Sequence, residues 1–266
     1  MINWVLFSKE FKANLKLFII FWAVLAVYAG MIVAMFDPKL GDSLNLMAQG
    51  MPQLFAAFGM DDVGVTLLEF VVNYLYDFLF VVFPAVFIII VANRLVVRYV
   101  DDGSMAYLLA TPHTRKSLVV TQMRVLSTLL FLLVALAALF TWAVASYMFP
   151  GELEIGKFVI INVALYGLLI FLSGLCFCFS CWFNDARKSY GWGAGLVIAF
   201  VLIQMLSQVG DKFEFLKYAT PLTLFNTEGL MAGDSDAILM FLILYIAGIA
   251  LYFLGMEIFA KKDIPV

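Results

Sequence analysis

Long stretches without a charged residue divide the chain, and they limit what it can fold into. A hydrocarbon core about 30 Å thick is crossed by about 20 apolar residues in an α-helix. Five stretches have between 20 and 27 residues each and can cross as helices: 17–36, 125–151, 158–184, 189–210 and 237–256. Composition agrees, because 65% of the residues are hydrophobic and 13% are charged, whereas soluble domains are about half apolar and about a quarter charged. We therefore predict one membrane domain, residues 1–266.

A sixth stretch, residues 78–93, has only 16 residues between two charged neighbours, Asp77 and Arg94. A full crossing must therefore extend outward past Asp77 toward Glu69 and carry acids at or near membrane depth. Acids at that depth are costly and face a wet cavity or a polar partner. Glu69, Asn73 and Asp77 recur at four-residue steps, so they share one helical face and are candidates to line a substrate path. The alternative for Glu69 is the outer headgroup zone.

Two further patterns mark the stretch 189–210. In its outer part, Gln204 and Gln208 are four residues apart and share one side of a helix. Together with the acids of the second span, they are candidates to line an outward vestibule. Near its inner start, Gly191 and Gly195 form a G-x-x-x-G motif, which permits close helix approach either within the chain or to a second copy.

The basic residues are unevenly distributed between the two sides of a six-span chain. Cytoplasmic loops of membrane proteins carry an excess of Lys and Arg. With a cytoplasmic N-terminus, 12 of the 16 basic residues are on the inner side: Lys9, Lys12, Lys16, Arg94, Arg98, Arg115, Lys116, Arg124, Arg187, Lys188, Lys261 and Lys262. The outer side has Lys39, Lys157, Lys212 and Lys217. We therefore expect a multi-pass protein of a bacterial cell membrane, with both termini cytoplasmic and no nucleic-acid partner.

Residues 1–16 are predicted to form a helix that lies in the cytoplasmic interface. Trp4, Phe7, Phe11 and Leu15 recur at three- and four-residue steps, while the lysines fall on another face. The alternative is a simple basic flank before the first span.

Residues 101–115, between the second and third spans, are predicted to contain a short cytoplasmic helix. Asp101 and Asp102, with the Gly-Ser pair that follows, are residues that start helices, and Pro112 stops the helix that they start. A simple interfacial turn has no need of the apolar side chains in between. We expect these side chains to face the cytosol, where a protein partner would use them: Met105, Tyr107, Leu108 and Leu109.

This segment resembles the ABC-2 type permeases, whose second cytoplasmic entry reads D-G-S/T-x-x-x-L-L-A-T-P-x-x-R. The chain matches that pattern at Asp102, Gly103, Ser104, Leu108, Leu109, Ala110, Thr111, Pro112 and Arg115. Weaker likenesses are Ala219-Thr220-Pro221 before the last span and the closing residues 259–265. The six-span layout and the N-terminal interfacial helix agree too, so the resemblance covers essentially the whole chain.

The resemblance implies an all-α permease of an exporter that works as a dimer, with an identical chain or a paralogue. Segment 101–115 would couple it to a separate ATPase, which binds ATP and Mg²⁺, so this chain is expected to hold no cofactor and no ATP-binding domain. The expected coupling residues are Asp101, Asp102, Tyr107, Leu108, Leu109 and Arg115. Spans two and five would flank the transport path. Because most of the spans lack charge, we expect an apolar or amphipathic substrate, such as a drug or an antimicrobial-type peptide.

Motifs for catalysis or metal binding are incomplete in the sequence. Residues 151–158 nearly spell a P-loop, but Phe158 replaces the Mg²⁺-binding Ser or Thr and no strand precedes it. His113 is the only histidine. Cys176 and Cys178 would point about 200° apart on a helix. We therefore expect that the chain is not an enzyme. Two alternatives to a permease stay open: a structural or regulatory membrane subunit, and an intramembrane enzyme.

Overall fold

The structure is a computed structural model that describes residues 3–36, 50–51, 66–110, 114–209 and 211–263. These residues form helices and no strands. Six of the helices are long and apolar enough to cross a membrane: Trp4–Met35, Leu67–Asp101, Arg115–Met148, Ile155–Trp182, Ala186–Ser207 and Ser235–Lys261. We refer to them as spans one to six. After the orientation predicted from the sequence, we call the side of Trp4 and Lys261 the inner side and the opposite side the outer side. The predicted all-α architecture with six spans is confirmed.

Span one is a single uninterrupted helix of 32 residues. At 1.5 Å per residue it is about 48 Å long, more than the hydrocarbon core of about 30 Å. From Trp4 onward, the segment 1–16, predicted as an interfacial helix, therefore belongs to the same helix as the first crossing. Of the predicted apolar stripe, Trp4 faces outward while Phe7 and Phe11 pack against the core. Glu10 and Asn14 are buried against the rest of the chain. Outward apolar residues suit a helix that lipid surrounds, since polar side chains find partners only within the protein.

Span two begins at a capping box. The Thr66 hydroxyl accepts a bond from the Glu69 N–H at 3.2 Å, and the Glu69 carboxylate accepts one from the Thr66 N–H at 3.0 Å. One turn of π-helix, Val72–Tyr76, follows, and such turns are frequent at functional sites. The predicted extension of this span past Asp77 toward Glu69 is thus confirmed.

Near its inner end, span two breaks at Val96, whose φ of −125° and ψ of −71° leave the α-helical region. A side chain of span four holds this break. The Ser180 hydroxyl donates to the Ala92 carbonyl at 2.9 Å and accepts from the Val97 N–H at 3.1 Å. Because Ser180 is 0% exposed, losing these bonds would leave buried backbone groups unpaired, at a cost of about 1–3 kcal/mol for each. Ser180 therefore orients the residues that follow span two.

Glycines allow spans four and six to pack closely. A Cβ added at Gly174 would lie 2.5 Å from the Gly248 carbonyl oxygen, and one added at Gly248 would lie 2.8 Å from the Ile170 carbonyl. Carbon atoms in contact are about 3.5 Å apart, so no larger side chain fits without movement of the backbone. Gly167 and Gly255 lie seven residues from Gly174 and Gly248 on their helices, and a Cβ at either would also be crowded. This seven-residue spacing is a sequence signal for the helix pair.

The G-x-x-x-G motif has no such role within the described chain. A Cβ added at Gly191 or Gly195 would meet no atom within 4 Å. These two glycines therefore take no part in helix packing within the described chain.

Residues 211–236, which we call the second outer segment, pack over the outer end of the bundle. They form the 3₁₀ helices Asp211–Ala219 and Pro221–Leu224 and the short α-helix Thr227–Ala232. The Thr220 hydroxyl donates to the Phe200 carbonyl of span five at 3.2 Å. The first outer segment, residues 37–66, lies outside the described residues apart from 50–51 and 66.

We expect Gly248→Ala to destabilise the chain by about 1–3 kcal/mol, because overpacking displaces backbone. The measurement is the thermal unfolding midpoint of the purified chain in detergent. Gly195→Ala is the matched control, since its new methyl group meets nothing within 4 Å and alanine favours a helix over glycine. Equal midpoints for the two variants would contradict this packing.

Candidate functional site

A short helix, Met105–Leu109, follows span two at its inner end. The chain turns into it at Gly103, whose φ of +73° lies in the left-handed region that favours glycine. The Asp102 carboxylate accepts hydrogen bonds from the Ser104 hydroxyl and N–H, and these bonds lower the pKa of Asp102. A short helix therefore stands within the predicted segment 101–115, although residues 111–113, with the expected Pro112 stop, lie outside the described residues.

The side chains of this short helix differ in exposure. Tyr107 is 81% exposed, and Asp101 and Asp102 are exposed beside it. Leu108 and Leu109 are half-buried and pack against the core. Met105 is only 4% exposed, so the expectation that it faces cytosol is wrong. Met105 lies one helical turn before Leu109, and the two therefore turn the same side of the helix to the protein.

The end of the segment is bound to the last residues of the chain. The Arg115 guanidinium donates to the Lys262 carbonyl at 2.9 Å. The Lys262 ammonium in turn donates to the Cys181 and Phe183 carbonyls at 3.0 and 2.6 Å, where the free carbonyls at the end of span four attract a cation. Partial burial lowers the pKa of Lys262 to about 8. Arg115, an expected coupling residue, therefore also has a partner within the chain.

The start of the segment is bound to span one. The Tyr99 hydroxyl, just before Asp101, donates to the Glu10 carboxylate. Glu10 is 4% exposed, so span one contributes a buried acceptor to the inner end of span two. Contacts to other parts of the fold thus fasten the short helix on both sides.

On the outer side, Asp77 has a polar partner from a distant part of the chain. Its carboxylate accepts a hydrogen bond at 2.9 Å from the hydroxyl of Thr227, which is buried. Thr227 is the first residue of the short helix Thr227–Ala232. The pair therefore fastens the outer segment to span two, directly after its π turn.

Glu69 and Asn73 line an outer cavity of about 340 Å³. Three more charged side chains line it: Glu154, Lys157 and Glu228. Lys157 pairs with Glu154 at 3.0 Å, so the cavity is polar and predominantly acidic. Asp77 is not among its lining residues, and Glu69 also belongs to the capping box at the start of span two. No acid, His or Cys group among the described residues is arranged to hold a metal ion.

The two glutamines of span five lie at a different place. The Gln204 side-chain oxygen accepts a bond from the Thr223 hydroxyl at 3.0 Å, and Gln208 is the C-cap of the span. The structure therefore brings Gln204 to the outer segment and does not bring either glutamine to the cavity of Glu69 and Asn73.

Sequence reasoning missed an apolar cavity of about 550 Å³ between spans three, four and six. Its wall includes Phe131, Trp142, Phe158, Tyr166 and Tyr245. The Tyr166 and Tyr245 hydroxyls donate to backbone carbonyls at 3.3 and 2.7 Å, so the wall suits an apolar group. Aromatic residues at helical spacing on spans three and four were the available signal, although a lipid-facing surface has the same composition.

A family model described as ABC-2 family transporter protein matches residues 4–264, nearly the whole chain. No curated protein matches the chain.

We expect Thr227→Val to destabilise the chain by about 1–3 kcal/mol, because the Asp77 carboxylate loses a buried donor. Thr227→Ser keeps the hydroxyl and should unfold near the wild-type temperature. Thr141→Val is the matched control, since Thr141 is also buried but donates only to Ala137 of its own helix. Equal losses of thermal stability in the valine and serine variants at position 227 would show that the hydroxyl is not the stabilising group.

Proposed function

The chain belongs to the ABC-2 transporter family, and on that premise we propose that it is the permease subunit of an ATP-binding cassette exporter. Separate ATPase subunits bind ATP and Mg²⁺ and supply the energy. A second permease, identical or paralogous, completes the pathway. The cargo is an apolar or amphipathic molecule, and a drug or an antimicrobial-type peptide is the proposed class.

The observation that carries this proposal is the way the short helix Met105–Leu109 is held. Tyr107 projects from it, while both of its flanks are bound to the bundle. A force applied by a partner reaches span one through Tyr99 and Glu10. The same force reaches the end of span six and span four through Arg115 and Lys262. A segment held in this way transmits a movement instead of absorbing it.

Tyr107 is the proposed anchor of the ATPase contact, with Leu108 and Leu109 as the apolar floor beneath it. A few aromatic and aliphatic side chains usually dominate the energy of a protein interface. Asp101 and Asp102 are exposed beside the anchor, so they form the rim, where a charge contributes about 1 kcal/mol or less.

On the outer side, the proposed exit lies beside span two. Glu69 and Asn73 line the polar cavity there. Asp77 and Gln204 hold the outer segment that covers this end of the bundle, and Gln208 ends span five beside it. In this proposal the outer segment moves when substrate leaves, so its attachments at Asp77 and Gln204 control the exit.

The proposal requires both termini to be cytoplasmic, and cysteine labelling tests this. Single cysteines at Ser235 and Ser8, both exposed positions, are placed in a chain that lacks Cys176, Cys178 and Cys181. We expect an impermeant maleimide to label position 235 in intact cells, and position 8 only after the membrane is permeabilised. The reverse pattern would overturn the orientation.

We expect Tyr107→Ala to weaken ATPase binding about tenfold or more, as loss of an anchor costs about 2 kcal/mol. The measurement is the ATP hydrolysis that co-purifies with the tagged chain from its own cells. Tyr147→Ala is the matched control, because Tyr147 is 88% exposed at the opposite, outer end of span three. If both variants retain the same hydrolysis as the wild type, the short helix is not the coupling element.

A further inference from the structure

A small polar cavity of about 200 Å³ lies at the inner ends of spans one and two. Its wall combines two guanidinium groups with two carboxyl groups. The arginines are Arg94 and Arg98 of span two, and the acids are Glu10 of span one and Asp102. The proposed function uses Asp102 and the contact between Tyr99 and Glu10 from this wall, but it gives the cavity itself no ligand.

The two arginines are available to a ligand. They lie on either side of the break at Val96, and both line the same cavity. Among the residues that the structure describes, the ion pairs join Lys116 to Glu257 and Lys157 to Glu154 and involve neither arginine. Guanidinium groups bind phosphate oxygens through paired hydrogen bonds. The pair thus matches one phosphate group.

The two acids are fixed at the wall by bonds to their own chain. Glu10 accepts from the Tyr99 hydroxyl, and Asp102 accepts from Ser104. The bonds from Ser104 lower the pKa of Asp102, so this carboxylate is ionised at neutral pH. Negative groups beside the arginines disfavour a ligand that carries only a phosphate and favour one that also carries a cationic hydrogen-bond donor.

We propose that this cavity binds the headgroup of phosphatidylethanolamine from the inner leaflet. The phosphate lies on Arg94 and Arg98, and the ammonium donates to the acids, of which Asp102 is the nearer to solvent. The cavity complements both charges of that headgroup within a single site.

The position of the cavity favours a lipid over a free zwitterion. It adjoins Arg94, where the charge-free run 78–93 ends, which is the depth at which headgroups meet hydrocarbon. From the cavity wall at Ala13, one face of span one continues through Leu17 to Ile20, which is 51% exposed. That face provides an apolar surface for the acyl chains below a bound headgroup.

Native mass spectrometry of the purified chain tests the site with three lipids that share the same acyl chains. Phosphatidylethanolamine should bind about tenfold more tightly than phosphatidylcholine, because choline has no N–H to donate to a carboxylate and a charge-assisted hydrogen bond contributes on that order. Phosphatidylglycerol, which lacks a cation, should also bind more weakly than phosphatidylethanolamine.

Three variants assign the contacts. Arg98→Ala should weaken phosphatidylethanolamine binding about tenfold, since it removes a charged partner of the phosphate. Arg124→Ala is the matched control, because Arg124 is an exposed inner arginine that does not line the cavity, and it should bind as the wild type does. Asp102→Asn should remove the preference for phosphatidylethanolamine over phosphatidylcholine, while phosphatidylcholine binding stays unchanged.

Four outcomes would overturn the proposal. Tightest binding of phosphatidylglycerol would make the cavity a simple anion site. Equal binding of the three lipids, or equal effects of Arg98→Ala and Arg124→Ala, would show that the cavity is not a headgroup site. Binding of soluble glycerophosphoethanolamine as tightly as the lipid would assign the site to a free zwitterion. None of these measurements involves the ATPase, so the proposed export function is unaffected by their result.

Discussion

In a membrane, every backbone N–H and C=O group within the hydrocarbon must be satisfied by the protein itself, because no water is present to bind it. Long helices meet this requirement on their own. Where span two breaks near its inner end, a side chain from another span supplies what the backbone loses. The break at Val96 shows the rule directly, since the Ser180 hydroxyl replaces partners at Ala92 and Val97. Because both sides of the break are bound, the chain leaves it in a fixed direction.

The same requirement brings several polar side chains of the spans into an interior that is mainly apolar, while other apolar side chains face outward. Glu10 is among the most buried residues of span one, while Trp4 faces outward. Because a buried carboxyl group needs a donor, Tyr99 is drawn to Glu10 and the start of the inner segment is fixed. Thr227 meets the same need for Asp77 on the outer side. The polar contacts therefore decide which loops are held against the bundle.

The two segments that these hydrogen bonds fix lie at opposite ends of span two. At the inner end, the break at Val96 precedes the short helix Met105–Leu109; at the outer end, the π turn Val72–Tyr76 precedes Asp77. Span two thus connects the proposed ATPase contact to the proposed exit through a helix with irregular turns near both ends. Such turns are where a helix changes direction at the lowest cost, since their backbone bonds are already rearranged.

Much of the architecture follows from sequence. The length of each charge-free run, the residues that start helices and the need to extend span two toward Glu69 can all be read from neighbouring residues. The resemblance at Asp102–Arg115 likewise needed no structure. Exposure was not predictable in the same way: Met105 and Tyr107 are both apolar members of one run, and only the packing of the short helix buries one and exposes the other. Partners were not predictable either. Asp77 and Thr227 are 150 positions apart in the chain, and Glu10 and Tyr99 come from different spans.

The sequence by itself determined how many times the chain crosses, because crossing depends on the length of each apolar run against the thickness of the bilayer. Only the tertiary structure decided which polar groups meet, because a buried hydrogen bond depends on the position of both partners.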